Sequence, residues 1–150
     1  MKTVVWMCVA LAALAVAAGA QSNEVVDEIL DRDAATFGQA AYIVFLAAEE
    51  APGDASVEEV YRGISWSDWN LDRKPADEPV RLGEFSYLLM ESFDIPGGIM
   101  YRLIPGPRYA ARELDYLDFL LRRGDPSRVV SGQEMLHAVG QALRYAEERS

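Results

Sequence analysis

Apolar residues recur at three- and four-residue spacing along most of the chain, a period that predicts helices rather than strands. In "SNEVVDEIL", Val25, Val26, Ile29 and Leu30 share one side, with Ser22 or Asn23 as the cap and acids in the first turn. The run from Ala34 to Glu50 is nearly uncharged, with Phe37, Ala41, Val44 and Ala48 at helical spacing, so it reads as a helix buried on most sides. Ile43 to Phe45 also fits a short strand, but the flanking alanines favour helix. Ser56 and Glu59 form a capping box over a short helix. Residues 63–80 make a long polar loop, and Arg81 to Phe93 reads as the next helix, with Phe85, Leu88 and Leu89 inward.

Residues 97–107 bracket an apolar run with glycines and prolines, which predicts a shaped connector. A helix over 108–123 follows, with Ala110, Leu114, Leu117 and Leu121 along one stripe and Gly124 as its stop. Ser131 and Glu134 form a second capping box and open a last helix from Gly132 to about Glu147. The fold class expected is all-α, a single irregular bundle of about five helices.

"VRLGEFSYLLMESF" (80–93) and "VSGQEMLHAVGQAL" (130–143) align at an offset of fifty, with Glu84 matching Glu134. Each is preceded by a loop and an aromatic-rich helix, so a helix–loop–helix unit used twice is one reading. The plain alternative is that two amphipathic helices align this well without common descent. The unit, with its polar lead into "VRLGEF" and "VSGQEM", resembles the S-layer homology repeat, a family that anchors bacterial surface proteins to cell-wall glycan. Arg81 and Glu84 in the first unit, and Glu134 in the second, approach that family's Thr-Arg-Ala-Glu-like start. Only two such units are found here and the family uses three, so its binding residues are not carried over. Separately, "GGIMYRLIPGPRYAARELDYL" followed by "VSGQEMLHAVGQAL" is similar to the C-terminal half of small exported proteins of spirochaete-type bacteria, over roughly residues 80–145. That resemblance implies location and no activity.

The first twenty residues read as an export signal. Lys2 precedes an uncharged apolar stretch from Val4 to Ala18, and Ala18-Gly19-Ala20 offers a signal-peptidase site. The apolar run is shorter than the roughly 20 residues a membrane span needs, and no basic cluster follows it. Removing those 20 of 150 residues leaves 130, enough for one domain, and takes away Cys8, the sole cysteine. Export without cysteine suits a periplasm or envelope. The remaining chain has 13 basic residues against 24 acidic ones, a net charge of −11, which argues against nucleic acid as partner. The charge is uneven. Residues 21–60 hold ten acids and one arginine, whereas residues 102–128 hold six arginines and four acids.

Catalytic chemistry is sparse. His137 is the only histidine and lies off the apolar stripe of its helix, so no Ser–His–Asp relay and no multi-histidine metal site can be assembled. No glycine-rich phosphate loop follows a strand, and no cofactor or metal is expected. Asp68, Asn70 and Asp72 match three positions of a calcium loop, but Arg73 stands where glycine is needed and Pro79 where the bidentate glutamate would be. Trp66 and Trp69 bracket Asp68 and are a candidate glycan platform; the alternative is that both rings pack inward to pin the loop. In the connector, Met100, Tyr101, Arg102, Arg108, Tyr109 and Arg112 combine aromatic, apolar and arginine side chains in the manner of interface hot spots; the alternatives are that Ile99, Met100, Leu103 and Ile104 plug the end of the bundle and that the arginines pair with the acidic N-terminal third. The reading is a non-enzymatic envelope binding or scaffolding protein using that connector against an envelope protein or cell-wall polymer. The runner-up is a glycan- or peptidoglycan-binding module, and a carboxylate hydrolase is a third class for which no acid pair stands out.

Overall fold

The computed structural model describes residues 23–69 and 71–150; the export signal expected over 1–20 lies outside them. The described residues are helical, with no extended strand. Helix α1 covers residues 23–30, followed by α2 (Phe37–Ala47), α3 (Val57–Gly63) and a 3-10 turn at Trp66–Asp68. Then come α4 (Leu82–Ser92), α5 (Ile99–Leu103), α6 (Pro107–Tyr116) and α7 (Gly132–Arg149). No helix among the described residues is long and apolar enough to cross a membrane.

Three loop residues meet at the centre. The Ala35 N–H donates to the Val130 carbonyl (2.8 Å), Val130 to Val80 (3.2 Å) and Val80 to Ala35 (2.9 Å), closing a ring of backbone hydrogen bonds. All three residues are completely buried, so each loop satisfies polar groups that would otherwise be orphaned. Immediately after each one a helix begins: α2, α4 and α7. Before each one, across a loop, lies α1, α3 or α6. The described residues therefore form three helix–loop–helix units around a pseudo-threefold centre. This corrects the two-unit reading: a third unit lies at residues 23–47, and the helix preceding "VRLGEF" is α3 rather than the "AAYIVFLAAEE" segment.

The units share local detail. Thr36 caps α2, its Oγ1 accepting from Gln39 N–H (3.2 Å) while the Thr36 N–H donates to Gln39 Oε1 (3.1 Å). Arg81 N–H donates to Glu84 Oε2 (2.9 Å), and Ser131 Oγ accepts from Glu134 N–H (3.2 Å). Each helix start then leans on a neighbouring unit: Phe37 N–H on Glu78 O (2.8 Å), Leu82 on Arg128 O (2.8 Å) and Gly132 on Arg32 O (2.9 Å). Residues of unequal size fill equivalent places. Phe37 and Leu82 are both fully buried, whereas the third position is Gly132, where the Ile29 carbonyl leaves no room for a side chain.

Helices α2, α4 and α6 end alike, on one residue in the left-handed region: Glu49 (φ 59°), Asp94 (φ 47°) and Asp118 (φ 57°). Asp118 explains why α6 stops at Tyr116 and does not run to Arg123. The turn swings Phe119 into the core against Tyr145 and leaves Leu121 about half exposed, against the stripe expected of it. Similarly, α2 begins at Phe37 rather than Ala34, because Ala35 is needed in the central ring.

Candidate functional site

The connector between α4 and α6 holds the short helix α5, and its apolar side chains are divided between two faces. Tyr101 turns inward and is buried, its hydroxyl donating to Glu91 Oε1, with its ring 6.3 Å from that of Tyr87. Burial, that hydrogen bond and the charges of Glu91 and Glu113 hold its phenol far above the ordinary tyrosine range. Ile99, Met100, Leu103 and Ile104 point outward and are 75%, 56%, 69% and 60% exposed. They form an apolar ridge on the surface of a protein whose net charge is −10.

The predicted contact residues are thus sorted by the fold. Met100 lies on the ridge with Arg102 on the same short helix, and Arg108 and Arg112 are exposed on α6. Arg102 Nε donates to the Gly97 carbonyl (3.0 Å), and the Arg108 charge helps hold the Asp125 carboxyl below its usual range, behind the larger effect of hydrogen bonds from Ser127. Tyr109 is half-buried. Tyr101 is not a surface residue: it is the anchor that fixes the ridge from beneath. Their exposure overturns the alternative that Ile99, Met100, Leu103 and Ile104 plug the bundle end, and it adds Ile99, Leu103 and Ile104 to the contact residues expected from the sequence. In a five-residue helix that turns one ring inward, the remaining apolar side chains have only solvent to face.

The tryptophan platform is also corrected. Trp66 is buried, its ring 5.1 Å from Phe37 and 5.4 Å from Tyr61, and its Nε1–H donates to the Tyr61 carbonyl (3.2 Å). Trp69 is half-buried against Phe45 (5.4 Å) and Tyr87 (6.4 Å), so the two indoles form no shared open face with Asp68. Both rings pin the long loop, because a loop of this length on a small domain needs apolar anchors. His137 is half-buried and meets Gln141 (3.2 Å). No group of acids, histidines or cysteines suited to a metal ion exists among the described residues.

Trp69 nevertheless borders two concave regions. One is a groove of about 560 Å³ between the end of α2 and α3, with Phe45, Pro52, Val60 and Trp69 in its wall and Glu50, Asp54 and Glu59 at its edge. Burial pushes the Glu50 carboxyl up, with Asp94 adding to the effect and a hydrogen bond from Ser92 Oγ (3.5 Å) opposing it. The other, of about 610 Å³, lies between units and is bordered by Asp72, Arg81 and Arg108. Its counterpart between the α6–α7 unit and the unit at residues 23–47, about 560 Å³, is bordered by Arg32, Arg122 and Gln133. Beneath that counterpart, Glu134 is buried and doubly bonded by Arg128, through Nη1 to Oε2 (2.8 Å) and Nη2 to Oε1. This pairing uses the carboxylate that the predicted capping box would have needed, and it holds the Arg128 guanidinium above its ordinary range.

No model of a known family matches the chain, and neither a curated protein nor a solved structure matches it.

Proposed function

We propose that the protein is a non-enzymatic binding or scaffolding protein of the cell envelope, exported to the periplasm or beyond, whose contact surface is the ridge on α5. The observation that carries this reading is four adjacent large apolar side chains, each more than half exposed, on a strongly acidic chain. Monomeric soluble proteins rarely present such a patch without a use for it. Arg102 on the same helix, with Arg108 and Arg112 exposed on α6, supplies cations to an acidic partner, and the rigid seat of Tyr101 lowers the entropy lost on binding.

The test is retention of residues 21–150, which carry every core residue named above, on membranes and on stripped cell-wall sacculi. A Met100→Glu/Leu103→Glu variant, unchanged by circular dichroism because both sites are exposed, is expected to lose retention. Equal retention of both proteins would overturn the reading.

The three-unit arrangement favours a second reading, a glycan- or peptidoglycan-binding module related to S-layer homology repeats. The third unit at residues 23–47 supplies the repeat whose absence spoke against that resemblance. Here the grooves between units, with Arg81 at the mouth of one, take the role given above to the ridge. Retention on sacculi that survives the ridge variant and is lost with Arg81→Glu supports this second reading instead.

A further inference from the structure

The two connectors that follow equivalent helices differ by one insertion. Helices α2 and α4 start, end and turn at a constant separation of 45 residues: Phe37 and Leu82, Ala47 and Ser92, Glu49 and Asp94. From α3 and α6 onward the separation is 50, as in Val57 and Pro107 or Val80 and Val130. The second connector is therefore five residues longer, and α5 is five residues long. In the second unit, α5 lays Tyr101 into the seam between α4 and α6, reaching Glu91 on one helix and feeling the charge of Glu113 on the other. The first connector has no such insertion, and the corresponding seam between α2 and α3 is the open groove of about 560 Å³.

We infer that this groove receives the α5 ridge of a second copy of the chain, so that copies associate head to tail. The inference rests on the reading of the ridge as a contact surface and names its partner. The chemistry of the two surfaces is complementary. The ridge presents Ile99, Met100, Leu103 and Ile104 with Arg102 alongside; the groove presents Phe45, Val60 and Trp69 with Glu50 and Asp54 at its edge. Charge points the same way, since residues 21–60 hold ten acids and one arginine, whereas residues 102–128 carry a surplus of arginine. Within one molecule the ridge stays on its own seam, tethered by Tyr101 to Glu91 and by Arg102 to the Gly97 carbonyl. One ridge-in-groove contact leaves a ridge and a groove free, so the association propagates as a chain or ring, or closes as a two-fold dimer in which each ridge enters the other copy's groove. The ridge is small, which makes the association weak and concentration-dependent.

Sedimentation equilibrium from micromolar to millimolar protein tests this with two variants of residues 21–150. Met100→Glu/Leu103→Glu disables the ridge, and Glu50→Lys/Asp54→Lys disables the groove. The wild type is expected to reach at least twice the monomer mass as concentration rises. Each folded variant alone stays at the monomer mass, and their equimolar mixture stops at twice that mass, because each supplies one working face. A wild type that remains monomeric overturns the inference, as does a mixture that stays monomeric or grows past the dimer. Ridge-dependent retention on envelope fractions by a monomeric wild type overturns self-association alone and leaves the contact-surface reading standing. Ridge-dependent association without retention upholds the inference and overturns the envelope partner alone.

Discussion

Replacing Gly132 by alanine is expected to destabilise the centre of the molecule, although it adds only one methyl group to a helix. Gly132 opens α7 where that helix meets α1, and a Cβ there would sit 2.6 Å from the Ile29 carbonyl carbon and closer still to its oxygen. The atoms in conflict are backbone on both sides, so no side chain can rotate away. Relief requires α7 to withdraw from α1, which breaks the Gly132 N–H bond to Arg32 and strains the Ala35–Val130 bond of the central ring. A buried backbone bond left unmade costs about 1–3 kcal/mol, and overpacking adds about 1–3 kcal/mol. Alanine returns up to about 1 kcal/mol of helix propensity, for a net loss of ~3 kcal/mol. In a domain of this size that lowers Tm by about 10 °C. Gly140→Ala is the internal control, because it lies on the same helix with open space around it. It is expected to stabilise by about 0.5–1 kcal/mol. Urea denaturation of both variants, followed by circular dichroism, measures the contrast. Two changes of the same sign would refute the argument that α7 is wedged onto α1 at Gly132.

Glu134→Ala is expected to cost about 3–5 kcal/mol in urea denaturation, because Arg128 is left partly buried without its partner, whereas Glu134→Leu with Arg128→Met costs far less. The Glu50 carboxyl titrates above its unfolded value, so the stability it contributes is full below the unfolded pKa and is lost as pH rises through the folded pKa. Glu50→Gln is therefore expected to remove a small part of the stability decline on the alkaline side of the carboxylate range, measured as the variant-minus-wild-type difference across pH. In residues 21–150, Trp66 is expected to resist acrylamide quenching and Trp69 to be partly quenched, which Trp66→Phe and Trp69→Phe separate. Leu103→Asp is expected to change stability by less than about 0.5 kcal/mol, since its side chain meets mostly water.

Much of the local structure was legible in the residues. Helix class follows from the spacing of apolar side chains over a few turns, and caps such as Ser56 with Glu59 or Ser131 follow from contacts three residues apart. The basic, apolar character of the connector stood out as well, and it led to Met100 and to three exposed arginines. Those features are local, so sequence determines them directly. The pseudo-threefold was partly visible as the offset of fifty, but the five-residue insertion of α5 changes the spacing to 45 for the remaining unit. Equivalent positions such as Phe37, Leu82 and Gly132 also carry side chains of unrelated size, because only their sum must fill the centre. The ring through Ala35, Val80 and Val130 joins residues 45 and 50 apart, and no local pattern encodes which loops will meet. Packing likewise decided the faces: Tyr101 and Trp66 went inside because a seam lay open to receive each ring, and that left the rest of α5 as the exposed ridge. Burial is a property of what surrounds a residue, and only the tertiary structure supplies the surroundings.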